Sequence, residues 1–185
     1  MKSSISKETF WEIYELLDSV SPVDFDCGTL CDDICCTCDT PECQGQDLVL
    51  YLFPGEEQLF VDGDWYEMSY ESTQKYKYPT SWGGDVYFIR CLNPPHCDRK
   101  LRPIQCRTFP LAPHLDENDE LHLIYEEDIP YVCPLIRDKT PLNKDFIETN
   151  YKAWKLLIQD PLIKDLIKMD STERIENNVN CEILI

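Results

Sequence analysis

Apolar residues recur at steps of three and four from Ser6 to about Val20, placing Phe10, Ile13, Leu17 and Val20 on one face. That spacing predicts an amphipathic helix. Ser6 suits its N-cap, Glu8 in the first turn complements the helix dipole, and Pro22 ends it. Leu48 to Phe53 is a short apolar run that reads as a buried strand or a helical turn, closed by Pro54-Gly55. Leu59 to Val61 and Trp65 to Tyr70 flank Asp62-Gly63, a dipeptide suited to positive φ, and so predict a hairpin. Asp85 to Leu92 reads as a strand rich in β-branched and aromatic residues. Phe109 to Leu115 and Leu121 to Tyr125 predict a second hairpin across the polar turn DENDE.

Beyond Pro141 the period returns to that of a helix. Phe146, Ile147, Tyr151, Trp154, Leu157 and Ile158 form one stripe. Asp160-Pro161 then caps and starts another helix, bearing Leu162, Ile163, Leu166 and Ile167. The expected class is α+β: a small, irregular, cysteine-rich metal-binding domain with short antiparallel strands, an N-terminal helix and C-terminal helices. Residues 1–140 form that domain, and residues 141–185 are a helical extension packing on it.

One stretch follows neither period. Asp26 to Cys43, DCGTLCDDICCTCDTPEC, holds six of the eleven cysteines with aspartates and threonines between them. A loop with so little to bury needs disulfides or metal to order it, and a metal that binds four thiolates turns binding free energy into folding free energy. The N-terminal segment has no unbroken apolar stretch after Lys2 and is interrupted by Glu8, Glu12 and Glu15, unlike a secretory signal. No later run approaches the roughly 18 apolar residues of a membrane span. The expected location is therefore cytoplasmic, where thiols stay reduced, and metal is favoured over a disulfide framework.

A second group of thiols follows: Cys91, Cys97, Cys106 and Cys133. The chain returns to a cysteine after each strand-like excursion, as shared metal ligands would require, although an apolar-flanked cysteine such as Cys133 also suits a core. Cys181 stands apart from the rest and is not expected to be a ligand. A net charge of −18 argues against nucleic acid and acidic lipid as partners, since phosphate binding rests on Lys and Arg. Arg90, Arg99, Lys100, Arg102 and Arg107 are the one basic concentration, and they coincide with the second thiol group. They either offset the charge of thiolate centres or pair with the many carboxylates.

The cluster ending in Cys35-Cys36, the LFPGEE segment, the run from Cys91 through RPIQCRTFP, and Cys133-Pro134 together resemble the CxxCxxCC-type zinc- or iron-chelating domain family, which has a relative in flagellin lysine methylase. The likeness spans roughly residues 24–136 and is carried most specifically by RPIQCRTFP. The chain departs from the pattern in having three residues between Cys31 and Cys35, and in carrying Cys38 and Cys43. The resemblance implies zinc or iron, an iron–sulfur cluster included, held by Cys27, Cys31, Cys35, Cys36, Cys91, Cys97, Cys106 and Cys133. Adjacent thiols on one ion need a small strained ring, so Cys35 and Cys36 are expected to serve different centres or one of them none. Three functions compete: a metal-binding protein with a structural or redox role, a cluster-dependent enzyme, and an adaptor stapled by zinc that binds a protein through its aromatic loop from Trp65 to Trp82. No phosphate loop, H-E-x-x-H or G-x-S-x-G pattern supports the enzyme.

Overall fold

The computed structural model describes residues 1–38, 49–61, 63–179 and 181–185. Cys43, Leu48 and Asp62, which figure in the expectations above, lie outside the described residues. Among those described, six helices and two small antiparallel sheets make an α+β fold. Helix α1 (Lys7–Asp18) starts as its sequence predicts, with Thr9 N–H donating to the Ser6 hydroxyl, and buries Phe10, Ile13, Tyr14 and Leu17. Helices α5 (Lys144–Leu157) and α6 (Pro161–Glu176) are joined at Asp160. Its carboxylate accepts from Leu162 and Ile163 N–H at the start of α6 and from Ser3 and Ser4. That one side chain caps a helix and fastens the N-terminal segment to it.

Strands β1 (Val49–Tyr51), β2 (Tyr66–Ser72) and β3 (Asp85–Cys91) form a sheet in the order β1-β3-β2, and β4 (Leu111–Leu115) pairs with β5 (Leu121–Tyr125). The second hairpin is therefore as expected. The first is not: Leu59 ends a short 3-10 turn (Glu56–Leu59), and β2 pairs along its whole length with β3 instead. A strand-like triplet at Leu59 to Val61 is too short to hold a hairpin against a seven-residue partner. The apolar run before Pro54 resolves as strand β1, at a sheet edge.

One continuous core takes Phe10 and Tyr14 from α1, Ile89 from β3, Leu123 from β5, Trp154 from α5 and Ile163 from α6. The helical extension thus shares the core of the preceding residues. The aromatic loop is partly core as well: Trp82 is buried, donates its indole N–H to the Leu162 carbonyl and stacks on Tyr78, whereas Tyr70 and Tyr76 stay exposed. No described helix is long and apolar enough to cross a membrane.

Candidate metal centre

The two sequence strings LFPGEE and RPIQCRTFP meet at a single buried carboxylate. Pro54-Gly55 turns the chain after β1, with Gly55 at φ 92°, where an added Cβ would fall 2.6 Å from the Ser3 Cβ and 3.0 Å from the Phe10 ring. Only glycine fits that turn. The turn places Glu56 in the core, fully buried, where Oε1 accepts from the Tyr14 hydroxyl (2.6 Å) and Ile104 N–H (2.8 Å), and Oε2 accepts from Phe53 N–H (2.9 Å). Burial pushes the Glu56 carboxyl up, and these donors oppose the shift. Ile104 opens the short helix α3 (Ile104–Thr108), which carries Cys106. Glu56 therefore positions the backbone of a candidate ligand.

Arg107 fixes the other end of α3. Its guanidinium lies 4.4 Å from the Tyr14 ring centroid and donates to the carbonyls of Arg99 and Arg102 (both 2.6 Å), to the Tyr14 carbonyl, and to Asp18. Gln105 Nε2 donates to the Tyr51 carbonyl of β1 (2.6 Å). The residues around Cys106 are thus tied to α1, to β1 and to the turn bearing Arg102.

Nine described cysteines are free thiols, and Cys38 is disulfide-bonded. The free thiols fall into two electrostatic neighbourhoods. In the first, Cys27 is raised by burial and by the negative charge of Cys133, Cys31 and Asp26, while Cys133 is raised by burial and by Cys31. Cys27 also packs on the small apolar cluster of Val23, Cys133 and Leu135. In the second, Cys106 is raised by burial, then by Cys36, Cys91 and Cys97, and Cys91 by burial, Cys97 and Cys36.

Cys35 and Cys36 are consecutive on helix α2 (Ile34–Thr37). The Cys35 thiol, hydrogen-bonded to Cys36, is raised, first by that bond and then by burial and the charges of Cys36, Cys27 and Cys31. Cys36 is lowered to about 7, first by the bond from Cys35, with Arg102 adding to it. After Cys36 itself, the thiols that act on Cys35 are Cys27 and Cys31, while Cys36 acts on Cys91 and Cys106. Burial, then Cys35, Cys106, Cys133 and Cys36, raise the Tyr131 phenol. Nothing in the sequence around Tyr131 marks it out.

The basic residues divide between their two expected roles. Arg102 donates Nε–H and Nη2–H to the Cys97 sulfur, both at 3.3 Å, in a fork suited to a thiolate. Arg90 instead pairs with Glu67 across the sheet, and Arg107 pairs with Asp18 besides donating to carbonyls. Arg102→Gln is expected to raise the Cys36 thiol in metal-free protein, because it removes a cation that now lowers it. The alkylation rate of Cys36 followed against pH by peptide mass mapping reads this, and an unchanged profile would separate Arg102 from the thiols.

Searches by sequence and by structure find no matching family, characterised protein or solved structure. The site is therefore read from its own chemistry. No three of the described thiols have their sulfurs all within 4.8 Å of one another. A closed tetrahedron of about 2.3 Å zinc–sulfur bonds sets its sulfurs about 3.8 Å apart, so each neighbourhood is more open than a filled zinc site. His96, adjacent to Cys97 in the chain, belongs to no such ligand group either.

A cleft of about 900 Å³ is lined by Cys35, Cys36, Cys91, Cys97, Cys106 and Arg102. It is also lined by the aromatic residues Tyr51, Trp65, Phe109, Tyr131 and Trp154 and by the charged residues Glu126, Asp170, Glu173 and Arg174. The indole N–H of Trp154 has no hydrogen-bond partner among the described residues. Cys181 lies on the same cleft. Residues from most of the chain contribute, so no one stretch of sequence could announce it.

Burial pushes the Asp170 carboxyl up to about 6, against the pull of Arg174. The native state then holds a proton between about pH 4 and 6 that the unfolded chain has released, so this contribution to stability is lost as pH rises through that window. It amounts to roughly 2–3 kcal/mol. Asp170→Asn is expected to flatten the pH dependence of denaturant unfolding between about pH 4 and 7, and an identical slope in the variant would contradict the assignment.

Proposed function

We propose that the protein binds metal through two four-thiol groups, Cys27, Cys31, Cys35 and Cys133 in one and Cys36, Cys91, Cys97 and Cys106 in the other. What supports this reading is that Cys35 and Cys36, hydrogen-bonded to each other, have different further neighbours: Cys27 and Cys31 act on Cys35, whereas Cys36 acts on Cys91 and Cys106. The donors fit zinc or iron: all are thiols, Cys36 is held at about 7, and Arg102 directs two N–H groups at Cys97. When bound, such a centre supplies structural cross-linking or, if it contains iron, electron transfer. Thiolate charge is offset by Arg102, while Glu56 and Arg107 keep Cys106 in place. Zinc would have to draw the open sulfurs together, whereas the ligands of an iron–sulfur cluster bind separate iron atoms and stand farther apart.

The likeness to the CxxCxxCC-type zinc- or iron-chelating family belongs to this reading, and the two strings that carry it meet at Glu56. Absorption of anaerobically purified protein tests the metal. A brown protein bleached by reductant has iron–sulfur clusters, a colourless one with zinc has structural sites, and a folded protein with neither refutes the proposal. A second reading, an enzyme whose metal group acts on a bound molecule, is favoured by the cleft that adjoins the thiols. It requires turnover, and a metal group that neither changes oxidation state nor forms product when offered electron donors and acceptors counts against it.

A further inference from the structure

The cleft carries more negative charge than its own cations offset. Glu126, Glu127, Asp128, Asp170, Glu173 and Glu182 line it, against Arg102 and Arg174. Both guanidiniums are engaged, Arg102 with the Cys97 sulfur and Arg174 with Glu126 (3.5 Å) and the Pro113 carbonyl. Glu126 also accepts Asp128 N–H, and Glu173 pairs with Lys77. Asp170, on α6, differs from these two: among the described residues its carboxylate has no hydrogen-bond partner. Burial, then Glu126, Glu173 and Asp128, keeps that carboxyl up at about 6 in spite of Arg174.

Strand β1 supplies an independent observation. Tyr51 lines the same cleft, and its hydroxyl also has no hydrogen-bond partner among the described residues. Burial, then Asp170, raises the Tyr51 phenol, so Asp170 is the charge that acts on it most. Two half-buried residues of one cleft thus each keep a polar group that a bound molecule can satisfy, where folded proteins normally pair such groups. The acidic set also selects the kind of molecule. Among the described residues, no three of these carboxylates have oxygens all within 4.8 Å of one another, so they are too spread to close on a single metal ion. A volume of about 900 Å³ is that of a site for an organic molecule. The Tyr51, Trp65 and Tyr131 side chains that line it offer rings that attract cations and cover methylene groups.

We propose that the cleft binds a linear aliphatic polyamine, with one ammonium group donating to the Asp170 carboxylate and the Tyr51 hydroxyl oxygen. Its further ammonium groups answer the remaining carboxylates, and its methylene chain lies along the aromatic residues. An ammonium with N–H groups meets both unpartnered oxygens, which a quaternary ammonium has no proton to do. The residues that recognise the ligand stand outside both thiol groups, so the binding goes beyond the metal reading and does not rest on it.

Isothermal titration of the purified protein with spermidine tests this, at about 150 mM salt so that diffuse attraction to an acidic surface is screened. One saturable equivalent is expected. Asp170→Asn should weaken it about tenfold or more, and Tyr51→Phe, which keeps the ring, about threefold. Glu12→Gln removes one exposed carboxylate outside the cleft lining and should leave the affinity as it is. Tyr51→Phe repeats the test without a change of charge, and metal content measured on each sample separates this result from the fate of the thiol groups. No saturable binding, equal weakening by Asp170→Asn and Glu12→Gln, full affinity in both Asp170→Asn and Tyr51→Phe, or magnesium or tetramethylammonium binding as tightly as spermidine overturns the proposal.

Discussion

Cys36→Ser is expected to remove the metal of one thiol group and leave the other filled, and Cys35→Ser to do the reverse. Each variant then keeps about half the metal of the parent. The expectation follows from the thiols around each: beyond burial, Cys91 and Cys106 are raised by Cys36, whereas Cys35 is raised first by its bond to Cys36 and then, after burial, by Cys27 and Cys31. The two losses should differ in kind. Loss of the group containing Cys36 frees Arg102 and exposes the cleft end, while loss of the group containing Cys35 loosens the junction of Cys27 with Cys133. Elemental analysis of the two variants, purified alike, measures this. Equal loss of all metal from both would mean one shared centre.

Glu56→Ala carries the largest expected cost to the fold. It leaves the Tyr14 hydroxyl and the N–H groups of Phe53 and Ile104 buried without an acceptor, beside the Arg107 guanidinium that stacks on Tyr14. Removing one partner of a buried charged network costs on the order of 3–5 kcal/mol. Glu56→Gln keeps the shape but turns an amide N–H₂ toward these donors, and so falls between parent and alanine variant. Because Ile104 opens the helix of Cys106, metal affinity should fall together with stability. Denaturant unfolding with and without added metal reads both, and a Glu56→Ala protein as stable as the parent would remove the carboxylate from the centre of this account.

The helices were legible because burial follows a period of 3.6. Phe10, Ile13 and Leu17 face the core as their spacing implies, and Asp160-Pro161 starts α6 where the sequence places a cap. The β4–β5 hairpin was legible for a similar reason, as two alternating runs joined by a polar turn. The pairing of β2 was not. Asp62-Gly63 resembles a hairpin turn, but β3 offers a partner of equal length and better packing, and tertiary pairing overrides a local turn signal.

The candidate site shows the same division. The clustering of thiols could be read from the chain, and peptide geometry gives the expectation that Cys35 and Cys36 serve different centres or one of them none. Glu56, Tyr131 and the cleft could not, since each depends on which distant backbones meet. Glu56 lies 48 residues before Ile104. An acidic residue in an acidic chain carries no mark of being the buried one. The PGEE string offered one hint, in that Gly55 at positive φ turns the next side chain inward.

Elemental analysis joined to a thiol count on native, anaerobically purified protein tests the central claim most directly. Metal should be present, with Cys27, Cys31, Cys35, Cys36, Cys91, Cys97, Cys106 and Cys133 all protected from alkylation until a chelator is added, and Cys181 reactive throughout. A folded protein that contains no metal and offers those eight thiols freely to the reagent would contradict it.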